Sequence, residues 1–336
     1  MKNKPLNKQQ FAKKVKDGVH QIVLPTTFPV GPVNVYLIEG DALTLVDTGP
    51  KTDEAWEILI KGIEETGYHL KDIKQILITH HHSDHAGLVE RIRKITGAQT
   101  LGHPLLQPYI ELTPKFTEYR NQFYYNLYKS CGVPEEFQQN FARQQKLFQH
   151  LIDPSQVDIK MAHRQQVPGL KDWQVLYTPG HSQDHLSLFR QRDGVLLGGD
   201  HIIGHISSNA LIEPPLDSTN ERPMTLVQYR TALEMCADED IDIVFTGHGE
   251  PVTNHRQLIH ERLKSNWRRT EKIRQFLQTG PKTVYELTTL LFPTIYTKEL
   301  NLTLSETIGH LDLLKLLHQV RVTIIEGISY YSICND

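Results

Sequence analysis

Thr79-His80-His81-His82-Ser83-Asp84-His85 is the stretch on which the reading of this chain turns. Before it runs Ile73-Lys74-Gln75-Ile76-Leu77-Ile78, a short β-branched apolar segment that reads as a buried strand. After it comes Ala86 to Ile95, with apolar residues at helical spacing. Four imidazoles and a carboxylate therefore sit at a strand-to-helix turn. Histidine is the commonest transition-metal ligand, and a short loop that aims several of them at one place points to a metal site. His80 and His82 can converge on one ion, and Asp84 and His85 on a second. A stray expression tag or a solvated histidine run would not lie inside the chain between two well-patterned elements.

Other polar groups follow short apolar segments in the same way. Val19–Leu24 and Val33–Ile38 read as strands, Glu39-Gly40-Asp41 as a hairpin turn, and Leu43–Val46 as the returning strand that ends in Asp47. Thr52 is a plausible N-cap, with Asp53 and Glu54 in the first turn of a helix reaching about Thr66. Trp173–Tyr177 is a strand followed by Thr178-Pro179-Gly180-His181-Ser182. Leu186–Phe189 and Val195–Leu197 form a hairpin that leads to Asp200. Met224–Cys236 is an amphipathic helix, and Ile241–Phe245 is a strand followed by Gly247-His248-Gly249. Asp47, the histidine cluster, His181, Asp200 and His248 thus each follow a strand, which gathers them at one edge of a sheet, where such folds place chemistry.

Composition narrows the classes. With 39% hydrophobic and 22% charged residues the chain is ordinary globular, neither disordered nor a membrane protein. A net charge of −3 offers no bulk attraction for nucleic acid. Cys131, Cys236 and Cys334 are an odd set without ligand-like spacing, which argues against a disulfide framework and for a reducing compartment. The amino end shows no apolar signal-peptide core, residues 1–17 read as polar and partly loose, and cytoplasm is the expected location. From about 103 to 151 the chain carries Tyr109, Phe116, Tyr119, Phe123, Tyr124, Tyr125, Tyr128, Phe137, Phe141 and Phe148 at mostly helical spacing. That pattern fits core helices or a cap that lines a substrate pocket or dimer surface. His255–Gln278 reads as a long charged helix stopped by Gly280-Pro281. Helices over Thr283–Leu291 and Ser305–His318, then two strands around Glu326-Gly327, make a winged-helix pattern.

Asp47, His80-His81-His82-Ser83-Asp84-His85, His181, Asp200 and His248, in that order, resemble the signature of the metallo-β-lactamase superfamily of hydrolases over roughly residues 19–255. The carboxy-terminal pattern and the Gly247-His248-Gly249 context look like those of its β-lactamase-like protein 2 group. The resemblance implies an α+β fold, a four-layer αββα sandwich with a C-terminal winged helix. Its expected division is 1–265 as the hydrolase domain, with a helical aromatic insert at 104–150, and 266–336 as the winged-helix domain. It also implies two divalent metal ions, Zn²⁺ in the first place with Fe or Mn as alternatives. His80, His82 and His181 would hold one; Asp84, His85 and His248 the other; Asp200 would bridge them. Asp47 would orient the histidine loop, and His81 need not bind metal. His185 would stand behind the ligands or simply pack, and His201 and His205 are more ordinary core or surface histidines. His103, His163, His255, His260, His310 and His318 receive no role.

The expected chemistry is attack by a bridging hydroxide on a metal-polarised carbonyl, with Asp84 and Asp47 counted among the catalytic residues. The expected substrate is a small-molecule ester or thioester, because an aromatic cap suits an acyl or pantetheine-like group. A phosphodiesterase or ribonuclease using the same metals is the alternative enzyme. A winged-helix DNA-binding regulator is disfavoured, since Glu306, Asp312 and Lys315 give the would-be recognition helix no basic face. No membrane partner is expected, and a homodimer is left open.

Overall fold

The computed structural model describes residues 10–138, 150–216 and 221–334. Seven strands form a first sheet in chain order: β1 (Ala12–Lys16), β2 (Val19–Leu24), β3 (Val33–Ile38), β4 (Thr44–Val46), β5 (Gln75–Leu77), β6 (Gln99–Gly102) and β7 (Ile159–Lys160). Pairing is antiparallel from β1 to β4 and parallel from β4 to β7. A second sheet is built of β8 (Trp173–Tyr177), β9 (Leu186–Arg190), β10 (Val195–Gly199) and β11 (Ile243–Thr246), in the order β11-β10-β9-β8. Here β10 and β11 are parallel and the other pairs antiparallel.

Strand alternation sorts the apolar side chains into layers. Tyr36, Ile38, Val46 and Leu77 of the first sheet face Val175, Leu186, Leu188, Leu197 and Phe245 of the second. Their strand neighbours Val35, Leu37, Leu45 and Ile76 turn outward, onto α1 (Asp53–Glu65) and α3 (Val89–Thr96). Between these two helices lies the single turn α2 (Ser83–Ala86). On the far side Leu176, Phe189, Leu196 and Val244 meet α6 (Thr225–Asp238) and α7 (His255–Leu277). Helix, sheet, sheet and helix are thus the four layers, and each fully buried apolar side chain contributes about 1.5–3 kcal/mol to holding them together.

The expected strands form with small shifts of their ends, and Thr52 caps α1 by accepting from the Ala55 N–H at 3.2 Å. Of the stretch 1–17, read as partly loose, residues 1–9 lie outside the described residues and Ala12–Lys16 is a strand. Lys13, Lys14 and Lys16 make it read as loop, but it is an edge strand, where lysines suit the free side. The Glu65 carboxylate holds its start, accepting from Phe11 N–H at 2.7 Å and Ala12 N–H at 3.0 Å.

The aromatic region contains α4 (Leu106–Glu111) and α5 (Pro114–Ser130). Tyr124 and Tyr128 join a core with α8 (Val284–Leu291) and α9 (Leu300–Leu316). Tyr119 and Tyr125 are exposed, and Phe141 and Phe148 lie outside the described residues. The region read as a winged-helix pattern holds α8, α9 and a three-stranded sheet of β12 (Lys282–Thr283), β13 (Val320–Ile325) and β14 (Ile328–Ile333), ordered β12-β14-β13. α9 starts at Leu300 rather than Ser305, because burial of Leu300 and Leu304 extends it. The 265/266 division falls inside α7, which runs through without a break. Among the described residues no helix is long and apolar enough to cross a membrane.

Candidate metal centre

Five strand ends converge. Asp47 follows β4, the histidine loop follows β5, His181 follows β8, Asp200 follows β10 and His248 follows β11. Hydrogen bonds to the main chain at the end of β11 stitch the two sheets together there. Asn34 donates its N–H to Gly247 O at 2.7 Å and its amide to Thr246 O at 3.0 Å, and the Tyr36 hydroxyl also donates to Thr246 O, at 2.7 Å. Gly247 permits the approach: a Cβ there would run into Asp200 Oδ1 and lie 3.0 Å from His85 Cε1.

One group comprises His80, His82 and His181. His82 Nδ1 lies 2.9 Å from His80 Nε2 and 3.0 Å from His181 Nε2. The outer nitrogens are committed elsewhere. His181 Nδ1–H donates to Asn209 O at 3.0 Å. His80 Nδ1–H donates to Thr79 Oγ1 at 3.0 Å, whose own proton goes to Asp47 Oδ2 at 2.9 Å. His80 Nε2 and His181 Nε2 therefore both turn bare lone pairs toward His82 Nδ1, which carries at most one proton. At least one lone-pair contact is left uncompensated, and a cation among the three nitrogens resolves it. Burial, reinforced by the neighbouring imidazoles, pushes the protonation of His80 and His82 far below the ordinary range; burial also lowers that of His181. Neutral imidazoles are the form that binds metal.

The second group is Asp84, His85 and His248. His248 Nδ1–H donates to Pro32 O at 2.9 Å and His85 Nδ1–H to Asp47 Oδ2 at 2.8 Å, which turns both Nε2 atoms inward. Asp84 Oδ2 is 3.3 Å from His248 Nε2. Asp200 faces both groups, with Oδ1 at 3.3 Å from His85 Nε2 and Oδ2 at 3.5 Å from His248 Nε2 and 3.6 Å from His181 Nε2. Burial works against charge on Asp200, His85 and His248 alike, but mutual attraction outweighs it: the carboxyl is held well below its usual range and both imidazoles above theirs, so a cation bound here would replace those protons. His85 Nε2, His248 Nε2 and Asp200 Oδ1 are buried without a hydrogen-bond partner among the described residues. Such orphaned atoms are costly, and a donor set of imidazoles and carboxylates fits divalent transition ions.

All seven candidate ligands thus lie in one place, with Asp47 directly behind them. Asp47 also accepts from the Thr79 N–H at 2.8 Å, so one carboxylate fixes the start of the loop and the ring of His85. His185 stands behind Asp200: its Nε2 accepts the Asp200 N–H at 3.1 Å and its Nδ1 bonds Thr178 Oγ1 at 2.8 Å. His201 is buried on Tyr229, and His205 is exposed.

Glu213 and Asp184 carried no signal of their own in the sequence. His81 Nδ1 lies 2.9 Å from Asp184 Oδ1, its Nε2 lies 3.6 Å from Glu213 Oε1, and its ring stacks on Tyr109 at 3.8 Å. Burial pushes the Glu213 carboxyl up to about 7 against the opposing pull of His81. Glu213 lies in Ala210-Leu211-Ile212-Glu213-Pro214, where a lone carboxylate beside buried apolar residues was the only available hint.

A family model described as Metallo-beta-lactamase superfamily matches residues 28–248. The chain is 38% identical over 302 residues, 89% of its own length and 92% of the other, to Probable metallo-hydrolase YqjP of Bacillus subtilis (strain 168). It is 24% identical over 266 residues, 77% of this chain and 60% of the other, to Thioesterase pkgB of Emericella nidulans. The solved structure of metallo-beta-lactamase family protein TTHA1429 from Thermus thermophilus superposes with a TM-score of 0.79 at 26% identity, covering 96% of this chain and 100% of that one.

Proposed function

The chain belongs to the metallo-beta-lactamase superfamily, and on that premise we infer that it is a metal-dependent hydrolase of a small-molecule ester or thioester. The observation that carries the reading is the convergence of two His/Asp groups, with inward-facing nitrogens, at the joined ends of the two sheets. His80, His82 and His181 would hold one divalent ion, Asp84, His85 and His248 a second, and Asp200 would serve both. Zn²⁺ suits this set, and Fe or Mn can take it. Ions bound there supply Lewis acidity toward a carbonyl oxygen and a water nucleophile at neutral pH.

The chain's own residues prepare the site. Asp47 keeps the Nδ1 proton of His85 and, through Thr79, fixes the tautomer of His80. Asn209 O and Pro32 O do the same for His181 and His248. His185 anchors the backbone of Asp200. The acyl preference is supported by the aromatic region, whose Tyr109 lies directly on His81, with Phe116 edge-on to Tyr109 at 5.0 Å. The thioesterase name of one distant relative points the same way.

The deciding experiment is a panel on metal-loaded protein: acyl-CoA and glutathione thioesters, lactones and a bis-aryl phosphodiester, with Asp84→Ala as blank. Thioester or lactone turnover that disappears in Asp84→Ala, together with reduced metal content, is the expected result. Phosphodiester turnover alone would overturn the carbonyl reading, and full activity in Asp84→Ala would overturn the ligand set.

A further inference from the structure

Five of the large apolar side chains exposed on this molecule fall within ten consecutive residues: Leu316 at 53%, Leu317 at 44%, Val322 at 38%, Ile324 at 70% and Ile325 at 54%. The last three lie on β13, which is the edge of its sheet in the order β12-β14-β13. Natural edge strands are blunted by lysine, proline or a bulge. β13, Val320-Arg321-Val322-Thr323-Ile324-Ile325, has none of these and pairs with β14 in unbroken register.

The hairpin geometry states which backbone groups are free. Glu326 and Gly327 have φ of 51° and 81°, a two-residue turn closed by the Ile325–Ile328 pair. Hydrogen-bonded and non-bonded positions alternate from there. The N–H and C=O groups of Ile325, Thr323 and Arg321 serve β14, while those of Ile324 and Val322 point away from it.

We propose that a second copy of this chain pairs along β13, antiparallel, about a two-fold axis through Thr323. That register makes Val322 and Ile324 of the partner subunit a hydrogen-bonded pair, and Ile324 and the partner's Val322 another. All outward-pointing groups of these residues are then satisfied. Thr323 faces its own copy across the axis, an arrangement favoured between strands. Charge does not oppose it: Arg321, the one charged side chain of the strand, lies opposite the partner's Ile325, and its Nε donates to Ser332 Oγ of its own subunit at 3.2 Å. Nucleic acid would need a basic strand, and Arg321 alone does not make one.

The test is sedimentation of the full chain across a hundredfold range of concentration, with a covalent check. The expected mass is twice 38.6 kDa. Ile324→Lys is expected to give a monomer with unchanged metal content and hydrolysis, since the strand is no part of the metal centre. In a Cys334→Ser background, Thr323→Cys is expected to cross-link on oxidation, while Ser329→Cys on the inner strand is not. A monomer at every concentration, a dimer indifferent to Ile324→Lys, or absence of the Thr323→Cys cross-link each overturns the pairing.

Discussion

Asp47 occupies a left-handed conformation, with φ of 60°, that most side chains avoid and that Asp and Asn tolerate best. The turn brings its carboxylate under the histidine loop, where it receives the Thr79 N–H, the Thr79 hydroxyl and His85 Nδ1–H. Asp47→Asn keeps the backbone preference and removes the charge. We expect metal affinity to fall about 10–100-fold, with circular dichroism unchanged, measured by competition with a chromogenic chelator. An unaltered affinity would mean that Asp47 serves the turn alone. The candidate ligands were legible because each carries its own chemistry and stands at a strand end. Glu213, Asp184 and Thr79 were not, because what defines them is approach to a histidine far along the chain or the direction of one hydroxyl.

At the scale of elements, α7 and α9 are joined by a buried polar cluster. Arg269 Nη1 donates to Glu306 Oε1 at 2.8 Å, His310 Nε2 lies 3.2 Å from the same oxygen, and His310 Nδ1 bonds Thr270 Oγ1 at 2.8 Å. Burial alone would raise the Glu306 carboxyl, but His310 and Arg269 outweigh it and hold it below its ordinary value. A carboxylate whose folded pKa is depressed stabilises the fold above its unfolded pKa, and that contribution is lost as pH falls through the acid range. Charge-assisted bonds of this kind are worth about 1.5–3 kcal/mol. Glu306→Gln should therefore melt lower than wild type at pH ~7, with the gap narrowing only as pH falls below ~4; a gap independent of pH would remove the charge from the explanation. His310, which received no role from the sequence, is thus a structural residue. Strand type was readable from alternation and the cap of α1 from Thr52, whereas β1 was hidden by its lysines and the start of α9 by dependence on tertiary burial.

At the scale of the molecule, the carboxy-terminal helices and sheet are not an appendage. Nine buried apolar residues, Val284, Leu287, Leu291, Leu300, Leu304, Ile308, Leu311, Leu314 and Val320, pack with Tyr124, Tyr128 and Ile212. Their removal would uncover Tyr124, Tyr128 and Ile212, and each large apolar side chain returned to water costs about 1.5–3 kcal/mol. A chain ending at Gln278 is expected to be insoluble or unfolded by hydrogen exchange; a soluble truncated form retaining metal would show that the aromatic helices are covered some other way. The strand pattern points to one sheet edge carrying the polar groups, and the two sheets with helices outside come from the family resemblance. The union of aromatic region and carboxy terminus was not anticipated, since one reads as core helices or a cap and the other as a separate winged-helix pattern.

The stitch between β3 and the end of β11 joins residues 212 apart in the chain, at Asn34 and Thr246. Closing so long a loop is slow, and contacts of this range dominate the region that carries the ligands. The histidine loop, by contrast, is local and can seize a cation in the unfolded chain, where metals favour the wrong side of the equilibrium. A centre built on contacts of such range is expected to assemble late in folding, so a cation present earlier meets the local histidine loop alone.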